Sequence, residues 1–460
     1  MCGRFAVNCK VRFAPSPTGL MHVGNARIAI INHLFCRKNN GKFLFRIDDT
    51  DVLRSKKEYE DAIRGDLAWL GIGYDEHFRQ SERLARYREI MNILIKNGFL
   101  YKCYETSEEL EYKRKLAISK GKPPVYDRAA LNLTETEVIS YEKEGRAPYW
   151  RFKLPSKTVS WDDLILGEIS YDLGSVSDPV IIKADGTFLY SFSSVVDDID
   201  SGITHIIRGQ DHVTNTAIQL AMFDEISNGT YSVNFAHLSL LVNKDGSQLS
   251  KRLGSMNLGD IRKNGIDPMA LFDVLATLGS SLDAIPFANI DDLVNYFDIT
   301  KFSKNSPKFD VDDIYKINRK ILHSKPYSAV AKYGLTEKQY DVIKGNIDSY
   351  NDFEMWRNIF NQHFFTNYSP SNDEEIVLQG FGHKVEGISD LTKERFEQIF
   401  TELRSEYNVS GKQLYHPIRM ALTGMEHGAN IVDLLSLFSK ADVLNRIQNV
   451  INQVQKIERP

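Results

Sequence analysis

The sequence predicts an α/β protein in which a parallel sheet covered by helices is followed by a mostly helical C-terminal half. Three observations lead to this prediction. Over residues 10–98, stretches that alternate like strands take turns with stretches of helical periodicity, the rhythm of a parallel sheet. The rhythm stops near residue 104 and returns near residue 189. From about residue 255 onward, helical periodicity dominates.

The first elements are predicted from hydrophobic spacing and from turn residues. Strands are expected over 10–14 (KVRFA) and 42–47 (KFLFRI), a helix between them that stops at 39–41 (NNG), and helices over 56–70 and 81–97. Gly71 and Gly98 close the last two helices. Residues 15–19 (PSPTG) form the loop after the first strand.

Residues 105–188 predict an α+β insertion with its own sheet. They combine a charged helical stretch, a Lys-Pro-Pro hinge at 122–124 and short strands such as 149–154. The α/β pattern then returns as a strand over 204–209, a helix over 211–224 and a strand over 237–242. Breaks in the helical C-terminal part are expected near 323–326 and 366–373.

Length and composition indicate a multidomain globular protein. The 460 residues predict three or four domains. With 42% apolar and 26% charged residues, the composition excludes a disordered or collagen-like chain. No apolar run approaches the roughly 18 residues of a membrane helix. Because the N-terminus also lacks a signal-peptide pattern, we expect a soluble cytoplasmic protein with no membrane partner.

Charge and cysteine content refine this picture. The net charge is −4, yet the first hundred residues carry 17 basic and 11 acidic side chains, a bias compatible with contact to polyphosphate or RNA. Charge alone does not decide between such contact and chance unevenness. None of the cysteines (Cys2, Cys9, Cys36, Cys103) sits in a C-x-x-C pair or in a cluster with zinc spacing, so neither a structural metal nor a disulfide is expected.

Two short segments carry the chemistry. The chain has neither a P-loop nor a G-x-G-x-x-G fingerprint. A strand–loop–helix at 11–26 is the candidate nucleotide site, because a helix N-terminus attracts phosphate and Gly24 lets a ligand approach the backbone. His22 precedes that helix and can donate to a phosphate oxygen. Residues 247–252 (SQLSKR) place two adjacent cations where they could stabilise a transferring phosphoryl group.

Together these segments resemble the class I aminoacyl-tRNA synthetases, the first matching their HIGH signature and the second their KMSKS signature. The longer strings VRFAPSPTGLMHVGNARIAIINHLF and GKFLFRIDDTD resemble the bacterial-type glutamyl-tRNA synthetase family. Further matches are LYSFSSVVDD (189–198), HIIRGQDHVTNT (205–216) and HPIRMALTG (416–424). The resemblance covers essentially the whole chain and is thinnest over 326–410.

The resemblance implies an enzyme that joins glutamate to ATP, releases pyrophosphate and transfers the glutamyl group to the terminal ribose of a tRNA. ATP with Mg²⁺ is the implied cofactor, and L-glutamate and tRNA(Glu) are the implied substrates. His22 and Lys251 are the implied catalytic residues. The implied ATP-binding residues are Thr18, Gly19, His22, Gly24, Asn25, Ser250, Lys251 and Arg252. The implied glutamate-binding residues are Arg12, Ala14, Ser16, Asp48, Tyr190, Ser194, Arg208 and Asp211.

Several positions depart from the family pattern. Asp48 is one methylene shorter than the usual glutamate, so its carboxylate reaches less far toward the substrate ammonium. Ser194 stands where asparagine is common, and Asn25 replaces the second histidine of HIGH, as is usual in the glutamyl subgroup. Gln248 replaces the first lysine of KMSKS and leaves Lys251 and Arg252 to carry the charge. Cys103 matches one cysteine of a zinc site found in some relatives, but no other ligands follow, so no structural zinc is expected.

The resemblance also implies a domain order and leaves alternatives open. The expected domains are a Rossmann-type catalytic domain in two halves (1–104 and 189–244), an acceptor-end-binding insertion (105–188), a stem-contact domain (245–325) and a helical anticodon-binding domain (326–460). We expect a monomer. Whether tRNA(Gln) is a second or alternative acceptor stays open. The alternatives are a non-catalytic tRNA-binding paralogue and a glutamyl-queuosine tRNA(Asp) synthetase-like enzyme, although the latter lacks an anticodon domain.

Overall fold

The computed structural model describes residues 9–247, 257–361 and 363–457. The strands are β1 Lys10–Phe13, β2 Lys42–Ile47, β3 Glu76–Arg79, β4 Leu100–Cys103, β5 Tyr149–Phe152, β6 Thr158–Asp163, β7 Gly167–Asp172, β8 Val180–Ile182, β9 His205–Gly209 and β10 Asn234–Leu238. The contacts divide the chain into two compact units, residues 1–261 with 271–314 and residues 262–270 with 315–460. We call them the N-terminal and C-terminal units.

Helices connect the strands and make up most of the chain beyond them. Those before residue 250 are α1 Val23–Lys38, α2 Lys57–Leu70, α3 Leu84–Lys96, α4 Ser107–Ser119, α5 Glu135–Lys143, α6 Tyr190–Asp200 and α7 Val213–Ser227. Those after it are α8 Leu258–Lys263, α9 Pro268–Thr277, α10 Ile290–Tyr296, α11 Val311–Ser324, α12 Tyr327–Val330, α13 Glu337–Ile343, α14 Asn351–Ile359, α15 Asn372–Glu386, α16 Lys393–Tyr407, α17 Lys412–Thr423, α18 Ile431–Leu435 and α19 Lys440–Ile457. The α/β class with a helical C-terminal half is confirmed.

Parallel strands form the centre of the N-terminal unit. One sheet has the order β1-β2-β3, and a second has the order β7-β6-β10-β9. β1 lies beside β9, where the Thr204 N–H donates to the Lys10 carbonyl at 2.9 Å. Because β1, β9 and β10 run in parallel, their carboxyl ends meet at one edge of the unit. Val11, Phe13 and Ile207 are buried and form part of its core.

The inserted segment is only partly a sheet of its own, which corrects the expectation above. β4, β5 and β8 pair antiparallel as a separate sheet. The hairpin β6–β7 instead joins the sheet that contains β9 and β10, because β6 pairs with β10 at Asp163 and Phe235. This pairing depends on residues far apart in sequence, so local periodicity does not encode it.

Other boundaries also differ from the prediction. The strand expected over 237–242 is Asn234–Leu238, because pairing with β9 ends at Leu238 and the chain then turns away along a cavity. The helix expected over 81–97 begins with a 3-10 turn at Gln80–Arg83. β3 and β4 were not predicted, since each has only four residues and β3 is half-exposed.

The C-terminal unit is built of helices around one apolar core. Trp356, Phe381 and Phe396 are among its fully buried side chains. The predicted breaks are confirmed, because α11 ends at Ser324 and α15 begins only at Asn372. In the described part of the chain, no helix is long and apolar enough to cross a membrane.

Candidate active site

A cavity of about 520 Å³ opens at the carboxyl ends of β1, β9 and β10. It brings together most of the residues singled out from the sequence, and its lining comes from four separate parts of the chain, around residues 12–28, 190, 207–212 and 238–241. The lining includes Arg12, Ala14, Ser16, Thr18, Gly19, His22, Gly24, Asn25, Tyr190, Arg208 and Asp211. Asp48 and Ser194 are not among the lining residues.

His22 caps the helix that borders the cavity. It is the N-cap of α1, and its Nδ1 accepts from the backbone N–H groups of Gly24 at 3.0 Å and Asn25 at 3.4 Å. Because Nδ1 accepts, the neutral ring carries its proton on Nε2. A side chain at position 24 would place Cβ only 2.9 Å from His22 Cε1. Glycine at this position therefore permits the capped geometry.

Arg12 presents an unusual buried cation to the cavity. It is only 4% exposed, and its Nε lies 3.3 and 3.4 Å from the two carboxylate oxygens of Asp198. Within the described chain, its terminal nitrogens donate to no protein acceptor. Asp198 thus fixes the stem of the guanidinium and leaves its fork directed at the cavity, a geometry suited to a carboxylate.

Asp198 belongs to a cluster of buried charges behind Arg12. Arg46 donates to Asp198 at 2.7 Å and to Asp48 at 2.6 Å, and all three side chains are nearly or fully buried. Burial alone would lower the pKa of Arg46, but these carboxylates hold it well above its usual range. Burial raises the pKa of Asp48 to about 6 despite the ion pair. Asp48 is therefore engaged with Arg46 rather than facing the cavity.

Arg208 lines the opposite side of the cavity and is 6% exposed. Its neighbours are neutral: Nη1 donates to Tyr190 Oη at 3.0 Å and Nη2 to Thr216 Oγ1 at 2.6 Å. Among the described residues, no carboxylate lies within ion-pair distance of it. Burial, assisted by the charge of Arg12, lowers the pKa of Arg208. An anion bound in the cavity would offset both the burial of Arg208 and the repulsion from Arg12.

Sequence reasoning missed Arg27 and His212. Arg27 lies on the buried face of α1, lines the cavity, and donates to the carbonyls of Ser239 at 2.6 Å and Leu278 at 2.8 Å. A charged residue among Val23, Ala26 and Ile30 was the signal that could have revealed it. Burial, with the charge of Arg208, lowers the pKa of His212 to about 4, so this lining residue is neutral near pH 7.

Two positions that depart from the family pattern have internal partners: Ser194, which was expected to bind glutamate, and Cys103, for which no metal was expected. Ser194 is 1% exposed, donates to the Tyr190 carbonyl at 2.6 Å and accepts from Gln219 at 2.8 Å. At the other departure, the buried thiol of Cys103 contacts Tyr126 Oη at 3.7 Å, and burial raises its pKa to about 11. Tyr126 in turn donates to Glu105 at 2.8 Å. The described residues contain no group of three metal-ligating side chains here or elsewhere.

Ser250, Lys251 and Arg252 lie outside the described residues. The chain is described again from Asn257, which forms an antiparallel bridge with His22. The Leu258 N–H donates to the Met21 carbonyl at 3.0 Å. The described residues that resume after the KMSKS-like stretch, Asn257 and Leu258, are thus joined to the HIGH-like loop.

The charges of the cavity define its ligand class. Arg12, Arg27 and Arg208 contribute three cations, and Asp211 is the carboxylate among the lining residues. A cationic pocket at the carboxyl edge of a parallel sheet, next to a helix N-terminus, is the arrangement of nucleotide- and carboxylate-binding α/β enzymes.

Comparisons with known proteins place the chain within that class. A family model described as tRNA synthetases class I (E and Q), catalytic domain, matches residues 8–316, and a model described as anticodon binding domain matches residues 332–451. The chain belongs to this family of class I tRNA synthetases.

Individual relatives agree with the family assignment. The chain is 43% identical over 446 residues to glutamate--tRNA ligase 1 of Maricaulis maris and to that of Rickettsia akari, covering 95% of this chain and 98% of each relative. A crystal structure of a glutamate tRNA ligase from Elizabethkingia meningosepticum in complex with its amino acid matches with a TM-score of 0.80 and 25% identity. That match covers 97% of this chain and 100% of the other.

Proposed function

We propose that this protein is a glutamate–tRNA ligase that makes glutamyl-adenylate from glutamate and ATP and transfers the glutamyl group to tRNA. The observation that carries the proposal is the pair of buried arginines, Arg12 and Arg208, which line one cavity. Among the described residues, Arg208 has only neutral hydrogen-bond partners and Arg12 pairs with Asp198 through Nε alone. The near-full-length similarity to glutamate–tRNA ligases supports the same activity.

The amino acid carries two carboxylates and one ammonium. We assign Arg12 and Arg208 to carboxylate binding, because a guanidinium fork binds such a group bidentately and distinguishes glutamate from neutral glutamine. Tyr190, Ala14 and Ser16 complete the pocket wall. Asp211 is the lining carboxylate suited to the ammonium, whereas Asp48 is engaged by Arg46.

The first step needs positioning and charge stabilisation rather than a general base, since the attacking α-carboxylate is already ionised at pH 7. It attacks the α-phosphate of ATP and expels pyrophosphate. We propose that His22 Nε2–H donates to the triphosphate, while His22 Nδ1 accepts from the first turn of α1 and the positive end of that helix lies beside it. Mg²⁺ would enter as part of the nucleotide, held mainly by phosphate oxygens and water.

Lys251 is our candidate for stabilising the charge on the departing pyrophosphate. Its assignment depends on the match of LSKR to the KMSKS signature and is supported by the bridge between Asn257 and His22. Thr18, Gly19, Gly24 and Asn25 line the cavity. With Ser250 and Arg252 they complete the proposed ATP site.

The second step attaches the glutamyl group to the terminal adenosine ribose of tRNA. We propose that residues 105–188 bind the acceptor end, 245–325 the stem and 326–460 the anticodon, in a cytoplasmic monomer. The family match to an anticodon binding domain over 332–451 supports the last assignment. We propose tRNA(Glu) as the acceptor, and the charging experiment below decides whether tRNA(Gln) is a second or alternative one.

The decisive experiment measures charging of purified tRNA(Glu) and tRNA(Gln) with labelled glutamate, using labelled glutamine as the control. Charging of tRNA(Glu) alone would establish a discriminating enzyme. Glutamate on tRNA(Gln) would establish a non-discriminating or specialised one. If neither tRNA accepts glutamate while both bind the protein, the chain is a non-catalytic tRNA-binding paralogue.

A further inference from the structure

A fully buried chain of polar side chains lies directly behind Arg208. Its members are Asp163 at the end of β6, His237 on β10 and Thr216 on α7, each at most 2% exposed. His237 Nδ1 lies 2.5 Å from Asp163 Oδ2, and His237 Nε2 lies 2.8 Å from Thr216 Oγ1 and 3.4 Å from Arg208 Nε. The chain therefore joins the inserted hairpin to the cavity.

The protons in this chain can be placed from the donor and acceptor types. Asp163 Oδ1 accepts from the backbone N–H groups of Ile165, Leu166 and His237 at 3.0, 3.0 and 3.2 Å. Burial alone would raise the pKa of Asp163, but these bonds and the one from His237 hold it below its ordinary value. An ionised carboxylate can only accept, so Nδ1 of His237 carries the ring proton.

The other ring nitrogen of His237, Nε2, then accepts a hydrogen bond from Arg208. Burial lowers the pKa of His237, and a second ring proton would point at the Arg208 Nε–H. The lone pair of Nε2 therefore faces the Arg208 Nε–H and the Thr216 hydroxyl. The hydroxyl oxygen of Thr216 accepts from Arg208 Nη2 at 2.6 Å, and its one proton lies between His237 Nε2 at 2.8 Å and the His212 carbonyl at 3.2 Å. Together with Tyr190, these residues bind the guanidinium through three neutral acceptors.

We propose that Asp163 and His237 are positioning residues for substrate recognition: Asp163 fixes the imidazole tautomer, and His237 orients Arg208 toward the substrate carboxylate without neutralising it. A carboxylate in direct contact with Arg208 would hold it equally well but would compete with the substrate. Because the negative charge of Asp163 acts through His237, Arg208 keeps its orientation and its positive charge stays available for the substrate carboxylate. This inference rests on the proposed glutamate-binding function.

Three substitutions separate orientation from simple packing. His237→Gln can place an amide oxygen near the position of Nε2 and keep an acceptor for Arg208. His237→Asn keeps the group that faces Asp163 and loses that acceptor. Asp163→Asn retains an oxygen for the backbone N–H groups but turns an NH₂ toward Nδ1, which forces the ring proton onto Nε2 and against Arg208.

The kinetic test is glutamate-dependent adenylate formation, with tRNA present in every assay. We expect His237→Asn and Asp163→Asn to raise KM for glutamate at least tenfold and to leave KM for ATP within about twofold. His237→Gln should stay within about threefold of the wild type. Equal KM values for glutamate in the Gln and Asn variants, or a parallel rise in KM for ATP, would overturn the proposal.

The second readout does not depend on activity. Side-chain ¹⁵N spectra of histidine-labelled wild-type protein, with His237 assigned by its absence in His237→Gln, should show the Nδ1–H tautomer. An Nε2–H tautomer of His237 in the wild type would refute the inference even if His237→Asn and Asp163→Asn failed to fold. If the wild type forms no adenylate from glutamate, the proposed function fails, while the spectrum still decides the arrangement of protons.

Discussion

At the scale of single residues, the site depends on arginines whose charge is kept available. Arg12 is anchored by Asp198 through Nε, and Arg208 is anchored by neutral groups only. Burying a cation lowers the stability of the fold unless an anion binds next to it. The presence of these arginines in a cavity therefore indicates binding of an anionic ligand rather than a structural role.

Arg12→Lys tests the geometric part of this recognition. Lysine retains the charge but loses the planar fork, so we expect KM for glutamate to rise at least tenfold while KM for ATP changes little. Arg37→Lys, on the exposed side of α1, is the matched control. A parallel increase of both constants would contradict the assignment of Arg12 to the glutamate pocket.

Asp48 gives a prediction about pH. Because its pKa rises from an ordinary 3.8 to about 6 on folding, the folded chain binds a proton between these values that the unfolded chain releases. The stability it contributes is therefore present at low pH and is lost as pH rises through about 6.

Asp48→Asn removes this titration. From pH 5 to pH 7, the free energy of unfolding of the variant should gain about 1 kcal/mol relative to the wild type. Urea unfolding at pH 5, 6 and 7 measures this difference, with the exposed Asp61→Asn as control. A difference that does not change with pH would show that Asp48 stays ionised throughout.

At the scale of elements, the start of α1 combines a helix cap with the proposed ATP site. His22 accepts from two backbone N–H groups of the first turn, so its ring orientation and the helix N-terminus are fixed together. Asn257, which lies on a later segment of the chain, forms an antiparallel β-bridge with His22 itself. A substitution in the first turn of α1 should therefore lower the rate of adenylate formation more than it lowers the stability of the fold.

Gly24→Ala tests that coupling. The added methyl would lie 2.9–3.0 Å from His22 ring atoms, so the ring must move. We expect the rate of adenylate formation to fall at least tenfold, with the thermal midpoint within a few degrees of the wild type. Gly73→Ala, where the methyl meets open space, serves as control. Unchanged kinetics would mean that the His22 orientation is not required.

Lys251→Ala tests the KMSKS-like segment. Removing a charge that acts on the departing pyrophosphate should lower the adenylation rate by about 10²–10³-fold, with substrate affinities much less affected. Pre-steady-state formation of adenylate is the measurement, and Lys244→Ala, on the preceding turn, is the comparison. Near-normal turnover would remove Lys251 from the proposed machinery.

At the scale of the whole molecule, the two units have separate cores and separate buried polar anchors. In the C-terminal unit, Arg446 is 3% exposed and donates to the carbonyls of Leu422 and Ile359 at 2.6 Å and of Asn361 at 2.8 Å. Arg446 thus donates to carbonyl groups near helix ends, which have no donor within their own helix.

Arg446→Met should therefore destabilise the C-terminal unit by about 2–4 kcal/mol, since it leaves buried carbonyls without donors. We expect weaker tRNA binding and an unchanged affinity for glutamate, measured by filter binding and calorimetry. The exposed Arg395→Met on α16 is the control. Equal loss of glutamate affinity would show that the C-terminal unit supports the amino-acid pocket.

Much of this arrangement was predictable from local sequence. The order of strands and helices, the loop at 15–19 and the arginines at strand ends follow from periodicity, turn residues and the family strings. The lining residues from Arg12 to Asn25 are close in sequence, so one strand–loop–helix brings them together. Short or half-exposed strands such as β3 lack that signal.

The sequence by itself therefore determined the α/β class, the helical C-terminal half and the identity of the cationic side chains, because these depend on neighbours within one or two turns. Tertiary structure alone decided that Asp48 pairs with Arg46, that β6 joins β10 and that Asp163 reaches His237, 74 residues away. Such contacts depend on which strands pair and in which register. That choice is made by burial and hydrogen bonding across the whole unit rather than by any local pattern.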